Sequence, residues 1–354
     1  MSIVHVVSCS TGKDSVTTLK MAVERFGTHR VRAIICDTGN ESDLVWRHAQ
    51  YLESVIGVKI EILRANFDAE IAGKREFIAR DTRHRRVYDT KPVFEADGKT
   101  PVLKRDGYGT LVLNKKGAPI QKTVKIGSGR RARWTNKAKR RALAVLYPTG
   151  NPFLDLCLWK GKFPSRKSQF CTEHLKRNMA VEYQLALIDQ GYTVVSWQGV
   201  RRDESLNRRD AKKFERLDKN FYVFRPLVEF TAEQVFAYAA DRGIEPNPLY
   251  KCGMSRVGCM PCINASKEEV KQTAARFPEH IVQKSEWENL VGKASKRGAS
   301  TFFPAPGETR TAVERGNIWQ VVEWSRTSRG GKQFSLLEVL EDSTSCSSAY
   351  GLCE

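Results

Sequence analysis

The stretch from Val4 to Ser15 reads V-H-V-V-S-C-S-T-G-K-D-S and is the most informative part of this 354-residue chain about its fold. It begins as an apolar, β-branched run and ends in small hydroxylated residues around Gly12. A helix-compatible run from Val16 to Phe26 follows at once. At such a strand–loop–helix junction, backbone N–H groups and the helix N-terminus face a point where a phosphate can bind. We therefore predict a phosphate-binding loop after the first strand.

The loop departs from the common P-loop. That motif needs a glycine five residues before Gly12, where this chain has Val7. It also needs Ser or Thr after the lysine, where this chain has Asp14. An ordinary strand-to-helix turn is the alternative interpretation of the same residues.

Apolar β runs alternate with helical runs along much of the chain, which predicts an α/β protein with a doubly wound, mainly parallel sheet. The predicted strands are Ile3 to Ser8, Val31 to Cys36, Val58 to Leu63 and Thr193 to Gly199. The predicted helices are Val16 to Phe26, Asp43 to Ile56 and Thr172 to Gln190. Ligands of such sheets bind beyond the carboxyl ends of the strands.

The net charge and the cysteine content indicate which kinds of protein this chain can be. The net charge is +19, which favours a polyanionic partner, although nucleotides alone also attract a basic cleft. An apolar run of membrane-spanning length is missing from the sequence, and so is a secretion signal. Nine cysteines without such a signal favour metal binding or redox catalysis over disulfides. We expect a cytoplasmic protein with no membrane contact.

The positive charge is concentrated in one segment. Residues 82–141 hold 18 Lys or Arg and four acids, an excess of 14. Turn signals at 96–98, 105–107 and 115–117 predict short β-hairpins there. Cations beside Tyr108 and Trp134 suit phosphate contacts and base stacking, so nucleic acid is a possible partner of residues 82–150. A solvated charged face is the alternative.

Several motifs, in order, carry a family resemblance. Ser10 to Ser15 resembles the pyrophosphate loop S-G-G-x-D-S of the adenine nucleotide α-hydrolases. Later motifs resemble those of phosphoadenosine phosphosulfate (PAPS) reductases: D-T-G-N-E at 37–41, F-C-T-E-H-L-K at 170–176, G-V-R-R-D-E-S at 199–205, R-P-L at 225–227, N-P-L-Y at 247–250 and G-C-M-P-C at 258–262. The chain thus resembles the PAPS reductase-like family of the PP-loop superfamily, near its iron–sulfur branch of DNA phosphorothioation and tRNA thiolation enzymes.

This organisation predicts four segments. Residues 1–81 form the first part of a PP-loop nucleotide-binding core, and 82–150 form a basic β-rich insertion. Residues 151–265 complete the core with an arginine loop and a cysteine cluster. Residues 266–354 form a helical C-terminal region that ends in a cysteine-containing tail. The resemblance covers roughly residues 1–80 and 150–265, and leaves the insertion and most of the last segment unmatched.

The expected nucleotide site combines the loop with two later strand ends. Lys13 places a positive charge on the phosphates, and Asp14 holds Mg²⁺ or orients a neighbour. Asp37 accepts from a ribose hydroxyl or the adenine amino group, and the arginines bind phosphate or sulfate bidentately. A surface salt-bridge cluster is the alternative for Arg202 and Arg208. The expected nucleotide-binding residues are Ser8, Ser10, Thr11, Gly12, Lys13, Asp14, Ser15, Asp37, Gly199, Arg201 and Arg208.

The cysteines divide into three groups. The first can hold a tetrahedral zinc or an iron–sulfur cluster as four thiolates, and comprises Cys171, Cys252, Cys259 and Cys262. The resemblance favours a [4Fe–4S] cluster, although the reductases have adjacent cysteines where this chain has Cys171-Thr172. The second group lies in or beside apolar runs and is expected to be buried: Cys9, Cys36 and Cys157. The third is the tail pair, Cys346 and Cys353.

Three functions compete. One is reduction of PAPS or adenylyl sulfate to sulfite with a thiol donor protein, in which a tail cysteine attacks sulfur. Another is ATP-dependent adenylation and sulfur transfer to DNA or tRNA, with Mg²⁺ on the loop. The third is a non-catalytic nucleic-acid-binding accessory. The expected catalytic residues for the two enzymatic alternatives are Lys13, Asp14, Arg201 and Cys353.

Overall fold

The computed structural model describes residues 2–81, 86–114, 116–131, 134–303 and 316–327. Its centre is a six-stranded sheet in the order β3-β2-β1-β6-β8-β7. Neighbouring strands are parallel except for β7, which runs antiparallel to β8. The strands are β1 Ile3–Ser8, β2 Val31–Asp37, β3 Ile60–Arg64, β6 Thr193–Trp197, β7 Phe214–Asp218 and β8 Phe221–Phe224. The predicted α/β fold with a mainly parallel sheet is confirmed.

The sheet buries both faces because its central strand is apolar on both sides, as parallel strands usually are. Val4 and Val6 of β1 pack with Leu187 on one face. Val7 packs on the other face against helices that include Leu19 and Leu52. The helices over these two faces are α1 Lys13–Phe26, α2 Asp43–Ile56, α7 Asn178–Asp189 and α8 Ala232–Ala240.

A second apolar core lies within a group of helices. It joins Ile71, Leu158, Trp287 and Val322 with their neighbours. The helices are α3 Asp68–Arg80, α4 Asn136–Leu143, α5 Pro152–Lys160, α6 Phe170–Thr172, α9 Lys267–Arg276, α10 Pro278–Ala294 and α11 Ile318–Ser325. The buried carboxylate of Glu288 accepts from the backbone N–H groups of Phe302 and Ile318 at 2.7 and 2.9 Å, which ties α11 to this core.

The basic insertion projects as an antiparallel pair, β4 Arg86–Pro92 and β5 Thr123–Arg131, that leads to three short hairpins. We call residues 93–114 and 116–122 the hairpin module. Its tips are closed by side-chain oxygens of Asp97, Asp106 and Asn114, each of which accepts from two backbone N–H groups. These tips lie where the turn signals predict them.

Backbone hydrogen bonds close the hairpin module in two triangles. In the first, Val93 donates to Lys122, Lys122 to Val102 and Val102 to Val93, at 2.7–3.0 Å. The second triangle is the same arrangement among three further residues, Lys104, Ile120 and Val112. Three similar hairpins therefore form a closed unit without a large core, an internal repeat that we did not recognise in the sequence.

Two further features differ from the sequence-based expectation. The β7–β8 hairpin and α8 were not predicted. The third strand begins at Ile60 rather than Val58, because Gly57 adopts a left-handed φ of 77° that ends α2. Among the described residues, none of the helices combines the length and apolar character needed to cross a bilayer.

Candidate nucleotide and thiol site

The loop between β1 and α1 is held by its own hydroxyl groups. The Ser15 hydroxyl accepts from the Ser10 N–H at 3.1 Å and donates to the Gly12 carbonyl at 2.9 Å. Helix α1 begins at Lys13, so its positive dipole end lies at this loop. Ser8 and Ser10 are exposed, whereas Thr11 and Ser15 are buried. The arrangement is a small concave turn at the carboxyl end of β1.

Thr11 carries backbone strain in this loop. Its φ is 61°, in the left-handed region that a β-branched residue rarely adopts. Its fully buried hydroxyl accepts from Nδ2 of Asn247 at 3.1 Å. Contact with Asn247 from a distant segment therefore holds the loop in this conformation.

Gly199 brings the end of β6 directly against the same loop. A Cβ atom at this position would lie 2.8 Å from both the carbonyl carbon and oxygen of Asp14, a distance that real side chains do not reach. Gly199 is therefore required for close backbone approach rather than for an unusual φ. This contact joins two loops that were predicted to meet at the strand ends.

Arg201 is buried and engages two carboxylates. Its Nε donates to Oδ1 of Asp14 at 2.5 Å, and its Nη1 contacts both oxygens of Asp203. Asp14 and Asp203 raise the pKa of Arg201 although burial opposes them. Arg201 therefore positions Asp14 at the loop, a contact that its predicted role as a phosphate ligand does not include.

Lys13 lies beside the loop in a partly aromatic setting. Its Nζ is 3.7 Å from Oδ2 of Asp14 and 5.6 Å from the centre of the Tyr250 ring. The Tyr250 hydroxyl also accepts from the backbone N–H of Lys13 at 2.9 Å. A largely apolar cavity of about 180 Å³ adjoins Lys13 and His48. The N-P-L-Y motif was the available signal for Tyr250 and Asn247, but we assigned no role to either.

The remaining predicted nucleotide contacts already have partners in the protein. Asp37 pairs with Arg64 at 3.2 Å and accepts from the Gly39 N–H at 2.8 Å. Arg208 pairs with Glu204 four residues earlier, and both are exposed. Arg202 donates to the carbonyl of Ala211. Arg208 thus contacts its own surface loop, whereas Arg202 also pairs with Glu229 beyond that loop, at 3.7 Å.

The second strand-end loop, residues 37–41, packs on the C-x-x-C segment. Met260 donates its backbone N–H to the carbonyl of Asn40 at 2.7 Å. The Cys259 Sγ lies 3.3 Å from Oγ1 of Thr38 and 3.7 Å from Oε1 of Glu41. The C-x-x-C segment thus packs against the edge of the sheet that carries the β1–α1 loop.

Three of the four predicted metal-binding cysteines are electrostatic neighbours. Burial raises the pKa of Cys171, and the Cys262 thiol adds to the rise. Burial raises the pKa of Cys259 to about 12, with Cys262 and Glu41 contributing. For Cys252, by contrast, burial raises the pKa while Arg276 lowers it, and no thiol contributes among the described residues. Cys262 thus influences the pKa values of both Cys171 and Cys259, whereas that of Cys252 responds to burial and Arg276.

Two lysines that the sequence analysis did not single out interact electrostatically with these cysteines. The Cys259 thiolate, with Glu41, Cys262 and Cys171, raises the pKa of Lys176. Lys284 has no exposed surface, and burial lowers its pKa to about 7, although Cys259, Cys157 and Glu41 oppose that shift. Burial thus favours neutral thiols at Cys171 and Cys259 and weakens the charge on Lys284, whereas the pKa of Lys176 is raised and its charge is kept.

The cysteines of the second and third predicted groups have other surroundings or lie outside the described residues. Cys9 and Cys157 are buried, and Cys36 is partly buried. Cys346 and Cys353, including the predicted catalytic thiol, lie outside the described residues. Within the described ranges, the His, Cys, Asp and Glu side chains form no group of three or more arranged for a single metal ion.

A hydroxyl-lined loop at a helix N-terminus, beyond the carboxyl end of a parallel strand, is typical of nucleotide-binding α/β proteins. The family model for the phosphoadenosine phosphosulfate reductase domain matches residues 132–265, which include Gly199, Arg201 and the three neighbouring thiols. This chain therefore contains a segment similar to the PAPS reductase domain, as its motifs predict. Its place in the iron–sulfur branch remains a prediction.

Similar proteins include one relative over the full length and several over a part. An uncharacterized 37.8 kDa protein encoded in the gpa 5′ region of Escherichia phage 186 is 39% identical, over 100% of this chain and 97% of that protein. An adenosine 5′-phosphosulfate reductase of Rhizobium tropici is 36% identical over 81 residues, 22% of this chain and 44% of that enzyme. The solved PAPS reductase of Candida auris aligns with 72% of this chain and 80% of that one, at 13% identity and a TM-score of 0.36.

Proposed function

We propose that this protein is an enzyme that binds an adenine nucleotide at the β1–α1 loop and performs sulfur chemistry on it. The observation that supports this proposal most directly is the contact between that loop and the loop after β6, in which Gly199 lies against the backbone of Asp14 and Ser15. This contact places Lys13, the helix N-terminus and Arg201 around one turn. Such a group of donors and cations suits a phosphate chain.

The first candidate reaction is reduction of adenylyl sulfate or PAPS. A cysteine thiolate attacks the sulfonate sulfur, the S–O bond to the phosphate breaks, and the nucleoside phosphate leaves with the electron pair of that bond. A dithiol donor protein then attacks the enzyme sulfur, which releases sulfite and forms a disulfide on the donor. The names of partial relatives support this reaction, and Cys353 is the proposed nucleophile.

An iron–sulfur cluster is the proposed cofactor, and the local chemistry suits one. Cys171, Cys259 and Cys262 would supply thiolate ligands, and Lys176 would supply compensating positive charge. When bound, such a cluster would add a polarising group beside the nucleotide's sulfonate. Zinc on the same thiols is the alternative cofactor.

A second candidate is ATP-dependent sulfur transfer, which the complete Lys13-Asp14-Ser15 ending of the loop favours. An acceptor oxygen would attack the α-phosphorus and release pyrophosphate, and a sulfur nucleophile would then displace AMP. Asp14 would hold Mg²⁺ after exchanging its contact with Arg201. The basic insertion would bring the nucleic-acid acceptor, and a reducing cytoplasm would keep the nine cysteines as thiols.

One product analysis separates these candidates. The anaerobically purified protein is incubated with ATP-Mg²⁺, with adenylyl sulfate plus a dithiol protein, and with PAPS plus the same donor. Sulfite formation from a sulfonucleotide, abolished by Cys353→Ala but not Cys346→Ala, supports reduction with Cys353 as nucleophile. AMP and pyrophosphate from ATP support sulfur transfer instead. Binding of nucleic acid without turnover of any nucleotide would contradict both and leave the accessory function.

A further inference from the structure

The carboxylate of Asp37 lies at the same edge of the sheet as the β1–α1 loop. Strands β1 and β2 are parallel neighbours with Ser8 opposite Ile34, and the Cys9 N–H donates to the Ile34 carbonyl at 2.8 Å. Asp37 ends β2, and its side chain is largely buried. Because the two strands end side by side, a nucleotide whose phosphates bind at the loop can place its nucleoside at Asp37.

Both oxygens of this carboxylate have a partner in the protein. Oδ1 of Asp37 accepts from the Gly39 backbone N–H at 2.8 Å, and Oδ2 pairs with Nη1 of Arg64 at 3.2 Å. Gly39 can donate in this way because its φ of 74° lies in the left-handed region that glycine adopts without strain. The orientation of the Asp37 carboxylate therefore depends on where Gly39 and Arg64 are held.

Both partners contact one short turn, Thr149-Gly150-Asn151, which precedes α5 and which we call the bracing turn. Nδ2 of Asn151 donates to the Gly39 carbonyl at 2.7 Å, and Nη2 of Arg64 donates to the Gly150 carbonyl. A Cβ atom at Gly39 would lie only 2.8 Å from Cγ of Asn151. The bracing turn and the D-T-G loop are therefore in direct contact, although more than 100 residues separate them.

The bracing turn is itself held by a buried carboxylate. Asp155 accepts from the N–H and the hydroxyl of Thr149 at 2.8 and 2.7 Å, and from the Gly150 N–H at 3.2 Å. The side-chain oxygen of Asn151 accepts from the Leu154 N–H at 3.0 Å and caps α5. The Asn151 amide thus has two separable contacts: its oxygen begins a helix, and its nitrogen holds the D-T-G loop.

We propose that Asn151 is a positioning residue that fixes Asp37 for recognition of the nucleoside, through its ribose hydroxyls or its adenine amino group. An ionised carboxylate only accepts hydrogen bonds, so it selects donors of this kind. A carboxylate that is already oriented binds such a donor more tightly, because less conformational freedom is lost on binding. The proposal rests on the proposed function and adds to it the contact that selects the nucleoside, whereas the phosphates bind at the β1–α1 loop.

Equilibrium binding of AMP, 2′,3′-dideoxy-AMP, IMP and pyrophosphate tests this proposal. The first analogue lacks the ribose hydroxyls, IMP lacks the amino group, and pyrophosphate reports the β1–α1 loop alone. We expect wild type to prefer AMP over at least one analogue about tenfold or more. Asn151→Ser keeps a helix cap but loses the donor to Gly39, so this preference should fall at least about threefold while pyrophosphate affinity is unchanged. Asn317→Ser, at the N-cap of α11, is the matched control and should retain both wild-type values.

Wild-type preference in folded Asn151→Ser would overturn the assignment, and so would an equal loss of AMP and pyrophosphate affinity, which indicates a general structural role. If Asn151→Ser fails to fold, Arg64→Gln removes the other contact from a side chain that is more than half exposed, and an unchanged preference there has the same meaning. Wild type that binds pyrophosphate but does not prefer AMP over either analogue would overturn this proposal alone. Wild type that binds neither AMP nor pyrophosphate would overturn the proposed function with it.

Discussion

At the residue scale, the loop depends on contacts from segments far away in the sequence. The hydroxyl groups of Ser10 and Ser15 organise the turn locally, and the sequence alone predicts that much. Asn247 and Gly199 complete it from more than 180 residues away. Spacing within a motif cannot predict such contacts, because they depend on how strands and loops that are distant in the chain pack together.

Gly199→Ala is expected to disturb the nucleotide site. The added methyl group would meet the Asp14 backbone at 2.8 Å, so one of the two loops must move. We expect the free energy of unfolding to fall by about 1–3 kcal/mol and nucleotide affinity to fall with it. Gly73→Ala in α3 is the control, since its Cβ would meet no atom within 4 Å. Denaturant unfolding and nucleotide titration measure both effects, and equal behaviour of the two variants would refute the close-approach role.

Asn247→Ala is expected to destabilise the loop. The change removes the donor to the buried Thr11 hydroxyl while Thr11 keeps its φ of 61°. An unsatisfied buried polar group costs about 1–3 kcal/mol, and denaturant unfolding should show a loss of that size. The double variant Asn247→Ala with Thr11→Gly should recover part of the loss, because glycine accepts this φ without strain. No recovery would argue against stored strain at Thr11.

At the element scale, the insertion consists of the charged β4–β5 strand pair and the hairpin module. The turn signals around Gly98, Gly107 and Gly117 predict three hairpins, and the structure has three. The two triangles of backbone bonds escaped prediction because they leave no periodic apolar pattern. Phe94, Leu113 and Tyr108 are exposed, and Tyr108 is 97% exposed. Exposed aromatic rings among cations suit a nucleic-acid surface.

Replacing residues 93–122 with Asn-Gly should remove the module without unfolding the core. Pro92 and Thr123 are cross-strand partners, so a two-residue turn can join β4 to β5. If the module contacts nucleic acid, affinity for a short DNA or RNA duplex should fall about tenfold or more, with a shallower dependence on salt. Fluorescence anisotropy at several salt concentrations measures this. Unchanged affinity and slope would exclude the module as the contact.

At the scale of the whole molecule, the alternation of strands and helices was sufficient to predict the parallel sheet. The antiparallel edge strand β7 was missed because its exposed, charged residues lack a strand pattern. Cys171 of α6 and Cys262 of the C-x-x-C segment both pack against the second apolar core. The role of Cys171 and the C-x-x-C pair as metal ligands stays a prediction, and sequence spacing gave no signal for the buried Lys284.

We expect acid pH to lower the free energy of unfolding, because the buried side chain of His5 is neutral in the folded protein. Burial lowers the pKa of His5 to about 4, and its Nδ1 accepts from Nε1 of Trp197 at 3.0 Å. The unfolded chain binds this proton more readily, so stability is full above pH about 6.5 and is lost as pH falls toward about 4. We expect a loss of about 1–3 kcal/mol from His5 over this window. Thermal melts against pH should show a smaller loss in His5→Gln than in the exposed-site control His29→Gln, and identical profiles would contradict the assignment.

The most direct test of nucleotide binding at the β1–α1 loop is equilibrium binding of adenylyl sulfate and ATP to wild type, Lys13→Ala and Lys20→Ala. Lys13 lies at the loop, whereas Lys20 pairs with Glu24 farther along the same helix. We predict that wild type and Lys20→Ala bind at least one of these nucleotides equally, and that Lys13→Ala binds it about tenfold or more weakly. Equal binding by all three proteins, or no binding of either nucleotide by wild type, would contradict it.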